Sequence, residues 1–117
     1  MSSGIAKKVV AAFRTGRICP IYADEAETRR TPYAVYTIDE EAVYDLDGIA
    51  GWVADVEIAL CASSFDDADA LADAAISAME GLRGSIGVKL DGRQPYESTE
   101  GKLNVVILSY TMREAVQ

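Results

Sequence analysis

Trp52-Val-Ala-Asp-Val-Glu-Ile-Ala-Leu-Cys-Ala62 runs directly into Ser63-Ser-Phe-Asp-Asp-Ala-Asp-Ala-Leu-Ala-Asp-Ala-Ala-Ile-Ser-Ala-Met-Glu-Gly81, and the two halves have different periods. In the first, Trp52, Ala54, Val56, Ile58 and Leu60 are apolar while Asp55 and Glu57 interrupt the alternate positions, the pattern of a strand with one buried face. From Phe65 the apolar residues fall at Phe65, Ala68, Leu71, Ala72, Ala75, Ile76 and Met79, a helical stripe that leaves Asp66, Asp67, Asp69, Asp73 and Ser77 largely off it. Ser64 is a natural N-cap, the early aspartates suit the positive end of the helix dipole, and Gly81 reads as the C-terminal stop. A strand feeding an amphipathic helix is a core-forming unit, and no catalytic motif accompanies it.

Upstream, residues 3–15 read as an amphipathic helix with Ser2 or Ser3 as cap, Ile5, Val9 and Phe13 on one side, and Gly16 as terminator. Arg17 to Pro32 reads as a loop with a brief extended entry at Ile18-Cys-Pro-Ile-Tyr22 and an exposed charged tract from Asp24 to Arg30. Tyr33-Ala-Val-Tyr-Thr-Ile-Asp39 is a strand by its aromatic and β-branched content. Glu40 to Gly51 carries acids and two glycines, with Val43-Tyr44 as a candidate extended pair. Downstream, glycines at 84 and 87 turn the chain into Val88-Lys-Leu90, and Asp91-Gly92 signals a turn or bulge before extension resumes at residues 94–97. Ser98 to Gly101 is the expected hairpin loop. The final strand, Lys102 to Arg113, centres on the unbroken apolar run Val105-Val-Ile-Leu108, which calls for cover on both faces, the second cover being the N-terminal segment or a neighbouring subunit. The expected fold is α+β: a mostly antiparallel sheet of four to five strands with an N-terminal helix and a central amphipathic helix packed on it, in one domain spanning 1–117.

At 117 residues and 50% hydrophobic content the chain can bury a core without disulfides or metals. No apolar run approaches the ~20 residues of a membrane span, and Lys7-Lys8 followed only by a short apolar run makes a poor signal peptide, so the expected compartment is the cytoplasm of synthesis. Cys19 and Cys61 occupy unrelated contexts and read as two reduced thiols. The net charge is −8, and its distribution is uneven: between Arg30 and Arg83 there is no Lys or Arg, while twelve acids lie there. Such segregation suits either a solvated acidic face or head-to-tail contact between copies, and disfavours nucleic-acid binding through a basic patch.

The absence of histidine removes the commonest general base and metal ligand. The acids of the central helix lie off its apolar stripe, so they read as a solvated face rather than a carboxylate pair poised for catalysis. Asp45-Leu-Asp47-Gly48 superficially looks like a calcium loop, but setting Gly48 at the sixth position puts Ala54 at the twelfth, where the ion needs a carboxylate. The glycines at 81, 84 and 87 follow no strand and lack a Gly-Lys-Ser/Thr, so they are turn glycines rather than a phosphate cradle. Arg29-Arg30 reads either as a solvated pair or as a grip for an acidic partner.

In order and spacing, Arg17-Ile-Cys-Pro-Ile-Tyr22, Thr31-Pro-Tyr-Ala-Val-Tyr36, Asp45-Leu-Asp-Gly48, the strand ending Leu60-Cys-Ala62, the helix from Ser64 to Ala75 and the closing hairpin with Tyr96-Glu97 resemble the tail-completion, or tail-terminator, proteins of long-tailed bacteriophages. Cys19 departs from the pattern, standing where the family more often has an apolar or aromatic residue. The resemblance implies a non-enzymatic virion protein without metal or cofactor. It would form a ring, commonly a hexamer, on the head-proximal end of the tail tube, end tube polymerisation and join tail to head. Its implied partners are further copies of itself, the tail-tube protein and the head connector, with DNA passing through the ring without specific binding and no membrane contact; from the net charge, acids of the basic-free region between Arg30 and Arg83 are expected to face the channel. For the ring contacts we single out Arg29, Arg30, Trp52 at the sheet edge and Tyr96; replacing Arg29 and Arg30 by Glu is expected to weaken assembly. Two alternatives stand beside this reading: a neck component of the same particle, and a small ligand-binding or carboxylate-dependent domain.

Overall fold

In the computed structural model the described residues are 4–27, 30–97 and 103–115. The order is α1 (Ile5–Gly16), β1 (Ile21–Ala23), β2 (Tyr33–Asp45), β3 (Gly48–Ala62), α2 (Phe65–Glu80), a 3-10 turn (Gly81–Gly84), β4 (Gly87–Glu97) and β5 (Asn104–Ala115). One five-stranded sheet has the order β1-β2-β3-β5-β4, antiparallel except where β1 runs parallel to β2. The fold is α+β, as the sequence pattern predicts.

The period switch falls where it is expected. Ala54, Val56, Ile58 and Leu60 are buried while Asp55 and Glu57 are exposed, and β5 repeats the pattern with Val106, Leu108, Tyr110 and Met112. These two strands pair side by side, so their even-numbered residues form one apolar surface in the middle of the sheet. Onto it α2 lays Ala68, Ala72, Ala75 and Met79, and α1 lays Ile5, Val9 and Phe13. Small alanines on α2 let it approach the sheet closely, and Phe13 and Met79 fill the remaining space. Phe65 departs from the expected stripe: as the first residue of α2 it remains 46% exposed.

The helix ends differ from expectation in a physically simple way. Ser64 caps α2 as predicted, its hydroxyl accepting a bond from the Asp67 amide at 3.2 Å. Gly81 ends the α-helix as expected, but with right-handed dihedrals that lead into the 3-10 turn rather than a left-handed turn. At α1, Gly16 is the last helical residue and Arg17 takes the left-handed position, with φ 50°. Gly4 occupies the N-cap position; Ser2 and Ser3 lie outside the described residues.

The largest difference is at residues 40–51. Instead of a loop with one short extended pair, β2 continues to Asp45 and β3 begins at Gly48, so the two form a long hairpin closed by Leu46 and Asp47. The Asp45 carboxylate accepts a bond from the Asp47 amide at 2.8 Å, and Gly48 adopts φ 119°, a conformation that side chains disfavour. The ladder shifts register between Val43 and Tyr44, which leaves Ala50 as an extra residue. Asp91 is likewise bulged out of β4, as the Asp-Gly pair suggests. The 98–101 loop lies outside the described residues, while the strands on either side of it pair as expected.

Candidate assembly surfaces

The strand register sorts every side chain to one of two faces. On the face away from the helices, successive cross-sheet rows are Tyr33–Cys61–Val105–Tyr96, Val35–Ala59–Ile107–Gln94, Thr37–Glu57–Ser109–Gly92 and Asp39–Asp55–Thr111–Lys89. This face is therefore apolar at one end and acidic further along. The apolar end is the second cluster that Val105-Val-Ile-Leu108 calls for, built from Tyr33, Cys61 and Val105. Tyr22 and Ala26 of the segment before β2 pack on it, while Val35, Ala59 and Ile107 stay half-buried. Asp39, Glu41, Asp55 and Glu57, all exposed, make the acidic stretch, with Asp39 directly opposite Asp55. Like charges across a strand pair are unfavourable, so this stretch is maintained against local stability.

On the helix side the acids of α2 are not all solvated. Arg93 of β4 reaches up to α2, donating to the Asp73 carboxylate at 2.8 Å, to the Asp69 carbonyl at 3.2 Å and to the Asp69 carboxylate. These bonds raise the pKa of its guanidinium and tie the edge strand to the helix. A signal for this was present: Asp69 and Asp73 stand one helical turn apart, and Arg93 lies on the helix-facing phase of β4. Near the other end of the sheet Glu114 accepts from Lys8 Nζ at 2.7 Å and from the Gly4 amide at 2.8 Å, which fastens the start of α1 to β5. The Lys8 bond and then the Gly4 bond hold its carboxyl below the usual value of 4.5.

Of the residues singled out for ring contacts, Arg29 lies outside the described residues, and Arg30 is exposed in the segment before β2. Tyr96 is 59% exposed on β4, in the same cross-sheet row as Val105, so it borders the apolar end of the open face. Trp52 is not at the sheet edge: β3 is flanked by β2 and β5, and Trp52 pairs with Ala42 and Glu114 on the helix side. At about 3.3 Å per residue it stands roughly 30 Å along β3 from the row that contains Tyr96. Arg30 and Tyr96 therefore share one end of the molecule and Trp52 the other. Trp52 lines a shallow cleft of about 490 Å³ with Arg83, Ile86, Arg113 and Glu114. Arg83 there is paired with Glu80, and Glu114 with Lys8.

The surface that sequence reasoning missed is the β2–β3 arm. Among the described residues β1 pairs with β2 only along Ala34–Tyr36, and β5 ends its pairing with β3 at Gly51. Past Gly51, at residues 44–50, the hairpin runs on with no third strand beside it among the described residues, and the molecule measures 51 × 25 × 23 Å. Val43, Tyr44 and Leu46 near its tip are exposed at 44%, 71% and 104%.

Among the described residues no group of three or more His, Cys, Asp or Glu side chains is placed to hold a metal ion, and no helix is long and apolar enough to cross a membrane. Both cysteines are free; burial pushes the Cys19 thiol up to about 11, with the charge of Cys61 as a second cause, and burial raises Cys61 against an opposing bond from Tyr33. Neither is a thiolate at neutral pH.

No family model and no curated protein matches the sequence. Among solved structures, the fold is similar to a chain in the virion of a native gene transfer agent particle, with a TM-score of 0.67 and 20% sequence identity. The likeness covers 92% of this chain and 84% of the other, so the shared fold includes nearly every element described above.

Proposed function

We propose that this chain is a structural virion protein of the tail-terminator type, a non-enzymatic subunit that forms a ring on the head-proximal end of a phage-like tail tube, ends its growth and joins it to the head. The observation that carries the reading is the fold likeness, over 92% of the chain, to a component of a gene transfer agent virion. The family resemblance carried by the Pro-Tyr-x-Val-Tyr strand, the Asp-Gly turn and the Ser64-capped helix points to the same class of particle. Three physical features suit it: a projecting arm with apolar residues at its tip, an open sheet face, and charges separated along the chain. Heterologous contacts between copies close into rings when the rotation per subunit allows, and a hexamer is the form the family leads us to expect.

In the ring, the acidic stretch of Asp39, Glu41, Asp55 and Glu57 faces the channel. A negatively charged lumen keeps DNA from adhering as it passes, because each phosphate meets repulsion rather than an ion pair. The partners on this reading are the tail-tube protein on one side and the head connector on the other, and the 117 residues act as one domain.

The test is tube capping. Tail-tube protein from the same source is polymerised with and without it, and tube lengths are measured by electron microscopy. Shortened tubes with a fixed cap support the proposal. Unchanged lengths, with binding instead to portal or adaptor protein, would replace it with a neck component.

A further inference from the structure

The tip of the arm and the outer flank of α1 complement each other, and one chain leaves both unmatched. At the tip, Tyr44 and Leu46 expose most of their apolar surface, flanked by Asp45 and Asp47. Neither of those carboxylates has an ion-pair partner among the described residues. Along α1, a groove of about 530 Å³ is lined by Ala6, Val10, Ala11 and Tyr36 and rimmed by Lys7 and Arg14. Neither base is in an ion pair among the described residues, although Lys8 beside them is. An apolar knob set among acids thus exists on the same molecule as an apolar groove set between bases.

The two cannot meet within one chain. Tyr36 on the groove and Tyr44 at the tip belong to the same strand, separated by about 26 Å at 3.3 Å per residue. The β2–β3 ladder runs without a shift from Tyr33 to Val43, so the arm points away from its own groove. We propose that Tyr44 and Leu46 of one copy seat in the α1–Tyr36 groove of a second copy, with Asp45 and Asp47 facing Lys7 and Arg14. The contact joins different surfaces of identical chains, so each copy gives one arm and receives another, the geometry that builds rings or filaments. Burial of the exposed tip supplies the driving force, and the opposed charges set partner and orientation. This deepens the ring reading by naming its two surfaces, and for ring closure it rests on that reading.

The test mixes two damaged chains. Tyr44→Lys/Leu46→Lys removes the knob and reverses its charge; Lys7→Glu/Arg14→Glu reverses the groove rim. All four residues are exposed, so both variants should keep the wild-type circular dichroism. Absolute mass is followed by light scattering over a range of concentrations. The wild type is expected to associate, and each variant alone to weaken association roughly 30-fold or more, the loss typical of a strong interface anchor. Mixed together, the two variants should form heterodimers and stop there, because one intact arm and one intact groove remain. Wild type and variants that associate equally would overturn the contact while leaving a ring built through other surfaces. A wild type that stays monomeric throughout, or a mixture that stays monomeric when the wild type associates, would also overturn it; in each case tube capping judges the functional reading separately.

Discussion

Single side chains account for much of how the helices and strands hold one another. The Tyr110 hydroxyl is buried under the helix layer with no hydrogen-bond partner among the described residues, and burial, then the charge of Glu80, pushes its pKa up to about 12. A buried hydroxyl without a partner costs about 1–3 kcal/mol of lost hydration, so Tyr110→Phe should raise stability by about 1 kcal/mol in chemical denaturation. Destabilisation on losing the hydroxyl would mean that it has a partner. Glu114 behaves oppositely. Its folded pKa is depressed, so its contribution is complete above the ordinary carboxyl value of 4.5 and disappears as pH falls through the lower folded value. Glu114→Gln should cost about 1 kcal/mol at neutral pH, and the two proteins should converge in acid. A gap that persists unchanged at low pH would rule out charge as its origin. Ser64 was the most legible residue of the chain, since a serine just before a helical stripe and two aspartates has a specific task there. Arg17 was not, because nothing local marks an arginine for the left-handed position when Gly16 precedes it.

Among the elements, the β3–α2 unit was readable because burial on one face imposes a period, and the period changes from two to 3.6 at Ser63-Ser64. The outer half of β2 was not readable for the same reason. From Asp39 to Asp45 no residue is fully buried, Glu40 and Ala42 being only half-buried, so the alternation is faint and the acids look like a loop. Gly51 sits where the arm meets the body. A Cβ there would stand 2.6 Å from the Glu114 carbonyl oxygen of the adjacent strand. Gly51→Ala should therefore push β3 and β5 apart locally and cost about 1–3 kcal/mol, in the range of overpacked sites. Wild-type thermal stability in that variant would mean that the strands yield at no cost. The position of Trp52 also depended on something beyond local pattern: strand order is set by pairing between distant segments, and β5, the last strand, inserts beside β3.

For the molecule as a whole, the α+β class and the layering of both helices on one sheet face followed from composition and period. The arm, the groove along α1 and the Arg93 clasp needed the strands placed in space. Charge that looked merely uneven along the sequence becomes local in the fold: acids cluster on the arm and on the adjoining open face, while Lys7 and Arg14 rim a groove on the other side of the sheet. The arm tip and the α1 groove are left open on this single chain. Tube capping is tested by adding labelled protein to preformed tail tubes and imaging single tubes by electron microscopy. The expected result is a compact ring of label at one end of each tube and none along its length, with no further growth from the labelled end. Label spread along the walls, label at both ends, or bare tubes that continue to grow would contradict it.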